Sequence, residues 1–203
     1  PMTALNPVFT VGSQIGDALR TNMGLNKAEA RERTIEMLQL VGIPSPAARI
    51  DNYVHEFSGG MRQRVMLAMA LSCDPTFLIA DEPTTALDVT IQAVILELIT
   101  SMIERFHMSL LFITHNLGVV AHACDKVGVM YASHLVEMGT KEEIFLNPQH
   151  PYTKGLLRSI PRMDVQEKFL TPIDGTVCNM MDPPQGCKFH PRCDHAMDVC
   201  RQR

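Results

Sequence analysis

Two short, unbroken apolar runs separated by one long helical segment constrain the fold of this chain more than any other feature. The runs are TFLIAD at 76–81 and SLLFITH at 109–115, and the segment at 89–106 between them has a helical pattern. Short buried strands joined through a helix are typical of a parallel sheet. We therefore predict an α/β fold with a largely parallel sheet.

The chain as a whole divides into three predicted segments. Residues 1–57 carry apolar residues at helical spacing and are predicted to form a helical subdomain. Residues 58–146 form the predicted α/β core, which ends in a hairpin turning at Ala132 and Ser133. Residues 147–203 are rich in proline and cysteine, which favours a C-terminal extension without long regular elements.

The composition limits the classes of partner. The chain has 203 residues, 46% of them hydrophobic and 20% charged, as in a globular protein. A net charge of −4 gives no general basic field, so nucleic acid is not an expected partner. No apolar run is long enough to span a membrane and no signal peptide is visible, so the chain is expected to be soluble. It begins at Pro1, which we interpret as a piece of a longer protein.

The stretch EFSGGMRQRV at 56–65 places Ser58, Gly59 and Gly60 directly before a predicted helix. Free N–H groups and the positive end of the helix dipole favour a phosphate at such a place. The sequence contains no G-x-x-x-x-G-K-[ST] loop, which is the usual grip on a nucleotide. These residues are therefore a candidate phosphate site without the loop that would hold the rest of a nucleotide.

Polar side chains follow both predicted strands. Asp81 and Glu82 close the first run, and Thr114 and His115 close the second. Ligands of open α/β sheets bind at the carboxyl ends of strands, so these side chains are expected at one edge. One carboxylate can hold Mg²⁺ through its waters while the other accepts a proton from an attacking water. The imidazole can hydrogen-bond a phosphate oxygen or that water. A solvated strand end and a structural histidine are the alternatives.

Three motifs, in this order, resemble those of the ABC-transporter ATPases. FSGGMRQRVMLAMAL resembles the signature motif, FLIADEPTTALDV the Walker B motif with the D-loop after it, and LLFITHNLGVV the switch-histidine motif. NPQHPYTKGLLRSIP resembles the tail of the dipeptide, oligopeptide and nickel importer branch. The resemblance implies the C-terminal part of an ABC-type P-loop NTPase domain, lacking its Walker A region, with a C-terminal extension.

The resemblance also implies a role for each matching residue. Glu82 would be the general base, His115 would sense the γ-phosphate of ATP, and Asp81 would help to hold Mg²⁺. Contacts to nucleotide or across a dimer of ATPase subunits would come from Ser58, Gly59, Gly60, Met61 and Asp88.

The six cysteines fall into two groups. Cys73 and Cys124 stand alone in apolar surroundings and are predicted to be packed thiols. A reducing compartment disfavours disulfides, and clustered thiolates there favour a metal. The tail resembles the extension of peptide-importer ATPases, some of which carry a [4Fe–4S] cluster, while zinc and unligated thiols stay as alternatives. The candidate ligands are Cys178, Cys187, Cys193 and Cys200.

The function implied is that of an ATP-binding and ATP-hydrolysing subunit of a peptide-type ABC importer, with the given piece alone inactive. Expected partners are a second ABC ATPase, identical or homologous, two transmembrane permeases and, indirectly, an extracytoplasmic substrate-binding protein. The expected location is the cytoplasmic face of the membrane. An ABC ATPase without transport and a redox or metal-sensing module that regulates an ATPase are the alternatives. Dipeptide, oligopeptide and nickel remain open as cargo.

Overall fold

The computed structural model describes residues 4–85, 88–160 and 172–202. The chain divides into two compact units, residues 1–116 and residues 117–203. This division falls between the predicted segment boundaries, which lie after residue 57 and after residue 146. Those boundaries concern functional segments and stay a prediction.

The first unit contains the predicted α/β arrangement. Its helices are α1 (Val11–Met23), α2 (Lys27–Leu40), α3 (Pro46–Arg49), α4 (Gly59–Leu71) and α5 (Val89–Phe106), with a 3₁₀ turn at Val54–Glu56. Its strands are β1 (Phe77–Asp81) and β2 (Ser109–Ile113). The two strands pair in parallel, with Phe77 opposite Ser109 and Asp81 opposite Ile113. Both strands and the helix between them therefore lie where the apolar pattern predicts them.

Side-chain caps determine where the helices of this unit begin. Ser58 accepts a hydrogen bond from the Met61 N–H at 3.4 Å, and Asp88 accepts one from the Ile91 N–H at 2.9 Å. Such caps satisfy backbone donors that have no carbonyl partner in the first turn of a helix. As a result α4 begins directly after Ser58 and α5 directly after Asp88, and both capping residues belong to the sequence motifs.

One apolar core joins the helices of the first unit to its sheet. Helices α1, α2 and α4 pack on one another, and α5 packs on α4. The core extends to Leu78 of β1 and Ile95 of α5, and Cys73 packs against it as predicted. The most deeply buried side chains include Ile15, Leu19, Met37, Leu38 and Val65. The buried residues of α4, α5 and β1 therefore belong to one apolar cluster.

The second unit is built on an antiparallel hairpin. Strands β3 (Lys126–Tyr131) and β4 (His134–Thr140) pair around Ala132 and Ser133, as the sequence predicts, and both turn residues have positive φ. Its helices are α6 (Leu117–Ala123), α7 (Lys141–Leu146) and α8 (Pro151–Arg158), followed by 3₁₀ turns at His190–Arg192 and Asp198–Arg201. Cys124 packs against its core, which consists of Val120, Val127, Val129 and Ile144.

None of the helices in the described parts of the chain combines the length and the apolar character needed to cross a bilayer.

A carboxylate on β4 fixes the start of α8. Glu137 accepts hydrogen bonds from the backbone N–H groups of Gln149 at 2.6 Å and of His150 at 3.0 Å. The His150 imidazole in turn accepts a hydrogen bond from the Tyr152 N–H at 3.1 Å and so caps the helix. Partial burial opposes ionisation of Glu137. The hydrogen bonds that its carboxylate accepts, including those from the Gln149 and His150 N–H groups, outweigh this effect, so the pKa of Glu137 lies below its ordinary value of 4.5.

Acidification should destabilise the second unit through His150. Burial lowers the pKa of His150 below its ordinary value of 6.5, more than the nearby Glu137 raises it. The unfolded chain therefore takes up a proton first, so the stabilisation is complete above about pH 6.5 and is lost as the pH falls toward the folded-state pKa. In His150→Asn, which can still cap α8, this loss should disappear. The urea midpoint of unfolding, measured between about pH 7 and pH 5, tests this. If the midpoint fell equally with pH in the wild type and in His150→Asn, the assignment to His150 would be contradicted.

Candidate functional site

The carboxyl ends of β1 and β2 meet at one edge of the sheet. Asp81 lies opposite Ile113, and the next residue, Glu82, donates its N–H to the Ile113 carbonyl at 2.9 Å. The His115 Nδ1 atom lies 2.6 Å from the Oε1 atom of Glu82. The parallel register thus brings together the two side chains that the strand ends predict to be neighbours.

The Glu82 carboxylate is oriented by a tight turn. Glu82 has φ of 46°, in the left-handed region, and its carbonyl accepts the Thr85 N–H at 3.2 Å. The Thr85 hydroxyl donates to Oε2 of Glu82 at 2.6 Å. These contacts hold the carboxylate in one position although a left-handed φ is unfavourable for a residue with a side chain.

The hydrogen bonds around Glu82 favour its charged form. The Thr85 hydroxyl, and after it the His115 imidazole, hold the pKa of Glu82 below its ordinary value of 4.5. The Glu82 side chain is 34% exposed and that of His115 is 80% exposed, so water reaches both. A carboxylate oxygen can accept two hydrogen bonds, and each oxygen of Glu82 keeps capacity beyond its present partner. Glu82 is therefore a charged acceptor within reach of a water molecule, as a general base requires.

Two glutamines hold the turn that carries Glu82, and sequence reasoning missed both. Gln63 of α4 donates its Nε2 hydrogen to the Pro83 carbonyl at 2.7 Å. Gln92 of α5 donates to the Thr84 hydroxyl at 3.1 Å. A signal for Gln63 does exist in the sequence, since it shares the buried face of α4 with residues four and eight positions later, Leu67 and Leu71.

The predicted phosphate group lies at the head of α4. Ser58 and Gly59 are exposed, and the N–H groups of the first turn have no carbonyl acceptors within the helix. The Ser58 hydroxyl caps the Met61 N–H. A Cβ atom on Gly60 would lie 3.0 Å from the Cγ2 atom of Ile91, so glycine there lets α4 approach α5 closely. Exposed donors at the start of a 13-residue helix fit an anion such as a phosphate.

The remaining acidic candidates have different surroundings. Asp81 is exposed at the end of β1, and its carboxylate oxygens are the ligand type that Mg²⁺ prefers. Asp88 caps α5. In the described part of the first unit, no hydrogen bond or ion pair links Ser58 to Glu82 or His115. The site residues therefore form two groups, one at the head of α4 and one at the edge of the sheet.

The cysteine tail is held together by its backbone. The Cys187 N–H donates to the Cys200 carbonyl at 2.9 Å, and the Cys193 N–H donates to the His190 carbonyl at 3.3 Å. All four tail thiols, including Cys178, are free and partly buried. Among the described residues, no group of three or more His, Cys, Asp or Glu side chains is placed to hold a metal ion. The described thiols therefore do not form a preassembled site for the predicted iron–sulfur cluster or for zinc.

Comparison with known families identifies two matching regions. Residues 3–85 match the family described as ABC transporter. Residues 136–200 match the family described as oligopeptide/dipeptide transporter, C-terminal region. The two matches correspond to the signature and Walker B motifs and to the proline-rich extension.

Curated relatives match along nearly the whole chain. The dipeptide transport ATP-binding protein DppD of Bacillus subtilis is 56% identical over 98% of this chain and 60% of its own length. DppD of Escherichia coli is 51% identical over 99% of this chain and 62% of its own length. The oligopeptide transport ATP-binding protein AppD of Bacillus subtilis is 53% identical over 98% and 61%. The chain thus spans about three-fifths of the length of these relatives.

A solved structure also resembles this chain. It is cbiO1 of Clostridium perfringens, described as part of the ABC transporter complex cbiONQ, and it is 29% identical with a TM-score of 0.62. The match covers 72% of this chain and 57% of the other. This similarity agrees with the α/β arrangement of β1, α5 and β2.

Proposed function

Because this chain belongs to the ABC-transporter ATP-binding proteins, we propose that the protein is the ATP-hydrolysing subunit of a peptide importer. The observation that carries the proposal is the pairing of Glu82 with His115, 2.6 Å apart at the carboxyl edge of a parallel sheet. The relatives named for dipeptide and oligopeptide transport support peptides as the cargo.

The residues at the sheet edge divide the chemistry of hydrolysis between them. Glu82 accepts a proton from the attacking water, while Thr85 holds its carboxylate in place. His115 orients Glu82 and, being largely exposed, can also reach a phosphate oxygen. Asp81 would hold Mg²⁺, and the metal would supply neutralisation of the phosphate charge.

The head of α4 contacts a nucleotide other than the one whose hydrolysis Glu82 assists. Ser58, Gly59 and Gly60 offer donors that fit a phosphate, but they have no described link to Glu82 or His115. We propose that they contact the γ-phosphate of a nucleotide held by a second ATPase subunit, identical or homologous. Asp88 at the head of α5 would communicate across the same interface. Two subunits would then share two nucleotides between them.

The partners and location follow from this role. Two transmembrane permease subunits would carry the peptide across the membrane, and an extracytoplasmic binding protein would deliver it. The ATPase would lie on the cytoplasmic face, and closure of its dimer around nucleotide would change the conformation of the permeases.

Uptake of a radiolabelled dipeptide into vesicles that contain the intact transporter tests the proposal. We expect uptake to require Mg²⁺ and ATP on the ATPase side and to stop when this subunit is left out. An intact subunit that hydrolyses ATP but never co-purifies with permeases would contradict transport and favour an ABC ATPase with another task.

The cysteine tail has no part in this proposed mechanism. An iron–sulfur cluster in the intact protein stays a prediction, which rests on the resemblance of the tail and on the clustering of its cysteines in the sequence, Cys178, Cys187, Cys193 and Cys200. Iron and acid-labile sulfide analysis after anaerobic purification measures it, and finding neither would remove the prediction. Mg²⁺-dependent ATPase activity that does not change when the cluster is lost would contradict a redox-sensing role.

A further inference from the structure

We propose that Gln63 is a positioning residue for hydrolysis, which fixes the turn carrying Glu82 to the helix headed by Ser58. Its Nε2 atom donates a hydrogen bond to the Pro83 carbonyl at 2.7 Å. The inference rests on the proposed ATPase function and adds to it a residue that acts through Glu82 rather than on the nucleotide.

This hydrogen bond connects α4 directly to the turn that carries Glu82. Pro83 directly follows Glu82, so holding the Pro83 carbonyl restrains the peptide bond beside the carboxylate-bearing residue. Gln63 itself is 9% exposed and belongs to α4, whose Val65 and Ala68 are fully buried in the core. The link therefore joins a rigid helix to the turn at the sheet edge.

The second atom of the same amide indicates that stability is not what Gln63 provides. Its Oε1 atom is buried and has no hydrogen-bond partner among the described residues. Burying an unpaired carbonyl oxygen costs free energy, and an apolar side chain of similar length would avoid that cost. The remaining chemical reason for an amide at this position is the donor that holds Pro83.

The link connects the two groups of site residues. Ser58 and Gly59 head α4, and Gln63 lies on the next turn of that same helix. A shift of α4 when its N-terminus binds the partner subunit's nucleotide would therefore pull on the Pro83 carbonyl and reorient Glu82. In this way occupation of one nucleotide site would bias hydrolysis at the other.

Gln63→Met in the intact transporter tests the proposal, because methionine keeps the length of the side chain and removes the donor. We expect kcat for ATP to fall about 10- to 100-fold, as small displacements of catalytic groups do. KM for ATP and binding of a fluorescent ATP analogue should stay within about twofold, since no phosphate contact is lost. The thermal midpoint of the nucleotide-free protein should not fall.

Gln14→Met is the matched control. Gln14 also donates its amide to backbone carbonyls, those of Asn6 at 3.0 Å and Phe9 at 3.1 Å, but these contacts hold the segment before α1 and not the turn that carries Glu82. This variant should keep the kcat of the wild type. A double-mutant cycle adds a second measurement, because in a Glu82→Gln background Gln63→Met should cause no further loss of hydrolysis.

Three outcomes would overturn the inference. They are an unchanged kcat in Gln63→Met, a parallel fall of kcat and thermal midpoint, and additive losses in the double mutant. Each is distinct from failure of the proposed function, in which the wild-type transporter itself would not hydrolyse ATP.

Discussion

Replacing Glu82 with glutamine should abolish most ATP hydrolysis while leaving ATP bound. Glutamine keeps the size of the side chain, but its amide cannot take the proton of the attacking water. Loss of a general base typically reduces the rate about 10²- to 10⁴-fold. Because binding donors at the head of α4 are untouched, the intact subunit should accumulate as an ATP-bound dimer, seen by size-exclusion chromatography with Mg²⁺ and ATP.

The control for this prediction is Glu97→Gln. Glu97 is an exposed residue of α5, so its replacement with glutamine makes the same chemical change outside the sheet edge. It should hydrolyse ATP at the wild-type rate and form no persistent dimer. Full turnover in Glu82→Gln would instead show that another group accepts the proton.

Replacing His115 with alanine should give the second largest loss of hydrolysis. The change removes the partner at Oε1 of Glu82, but Thr85 still holds Oε2, so the carboxylate keeps part of its orientation. We expect kcat to fall about 10²-fold, within the range for a positioned histidine, with a smaller change in KM for ATP. Steady-state kinetics of phosphate release measures both constants.

His122→Ala provides the comparison, because His122 is exposed near the end of α6 and has no assigned role. Its kcat should match the wild type. If His115→Ala raised KM and left kcat unchanged, His115 would be a phosphate-binding residue only, and its contact with Glu82 would not matter for the chemical step.

Local patterns were sufficient to predict much of the architecture. Helix α5 and strands β1 and β2 lie where apolar runs and helical spacing predict them, and the hairpin turns at Ala132 and Ser133. Such elements depend on side-chain periodicity and turn position, which neighbouring residues determine. The tail cysteines show the limit of the same approach, because their clustering and the resemblance of the tail indicated a metal centre, while the described residues contain no group of three or more side chains placed to hold a metal ion.

The sequence by itself determined that Glu82 and His115 would follow two parallel strands, and parallel pairing then places their ends at one edge. Only the tertiary structure decided what holds Glu82 there. The contacts from Thr85 and Gln63 depend on a left-handed turn and on the packing of α4 against the core, and Gln63 and Pro83 are 20 positions apart. Periodicity records which face of a helix is buried, but the partner that a buried amide finds is set by how helices and strands pack together.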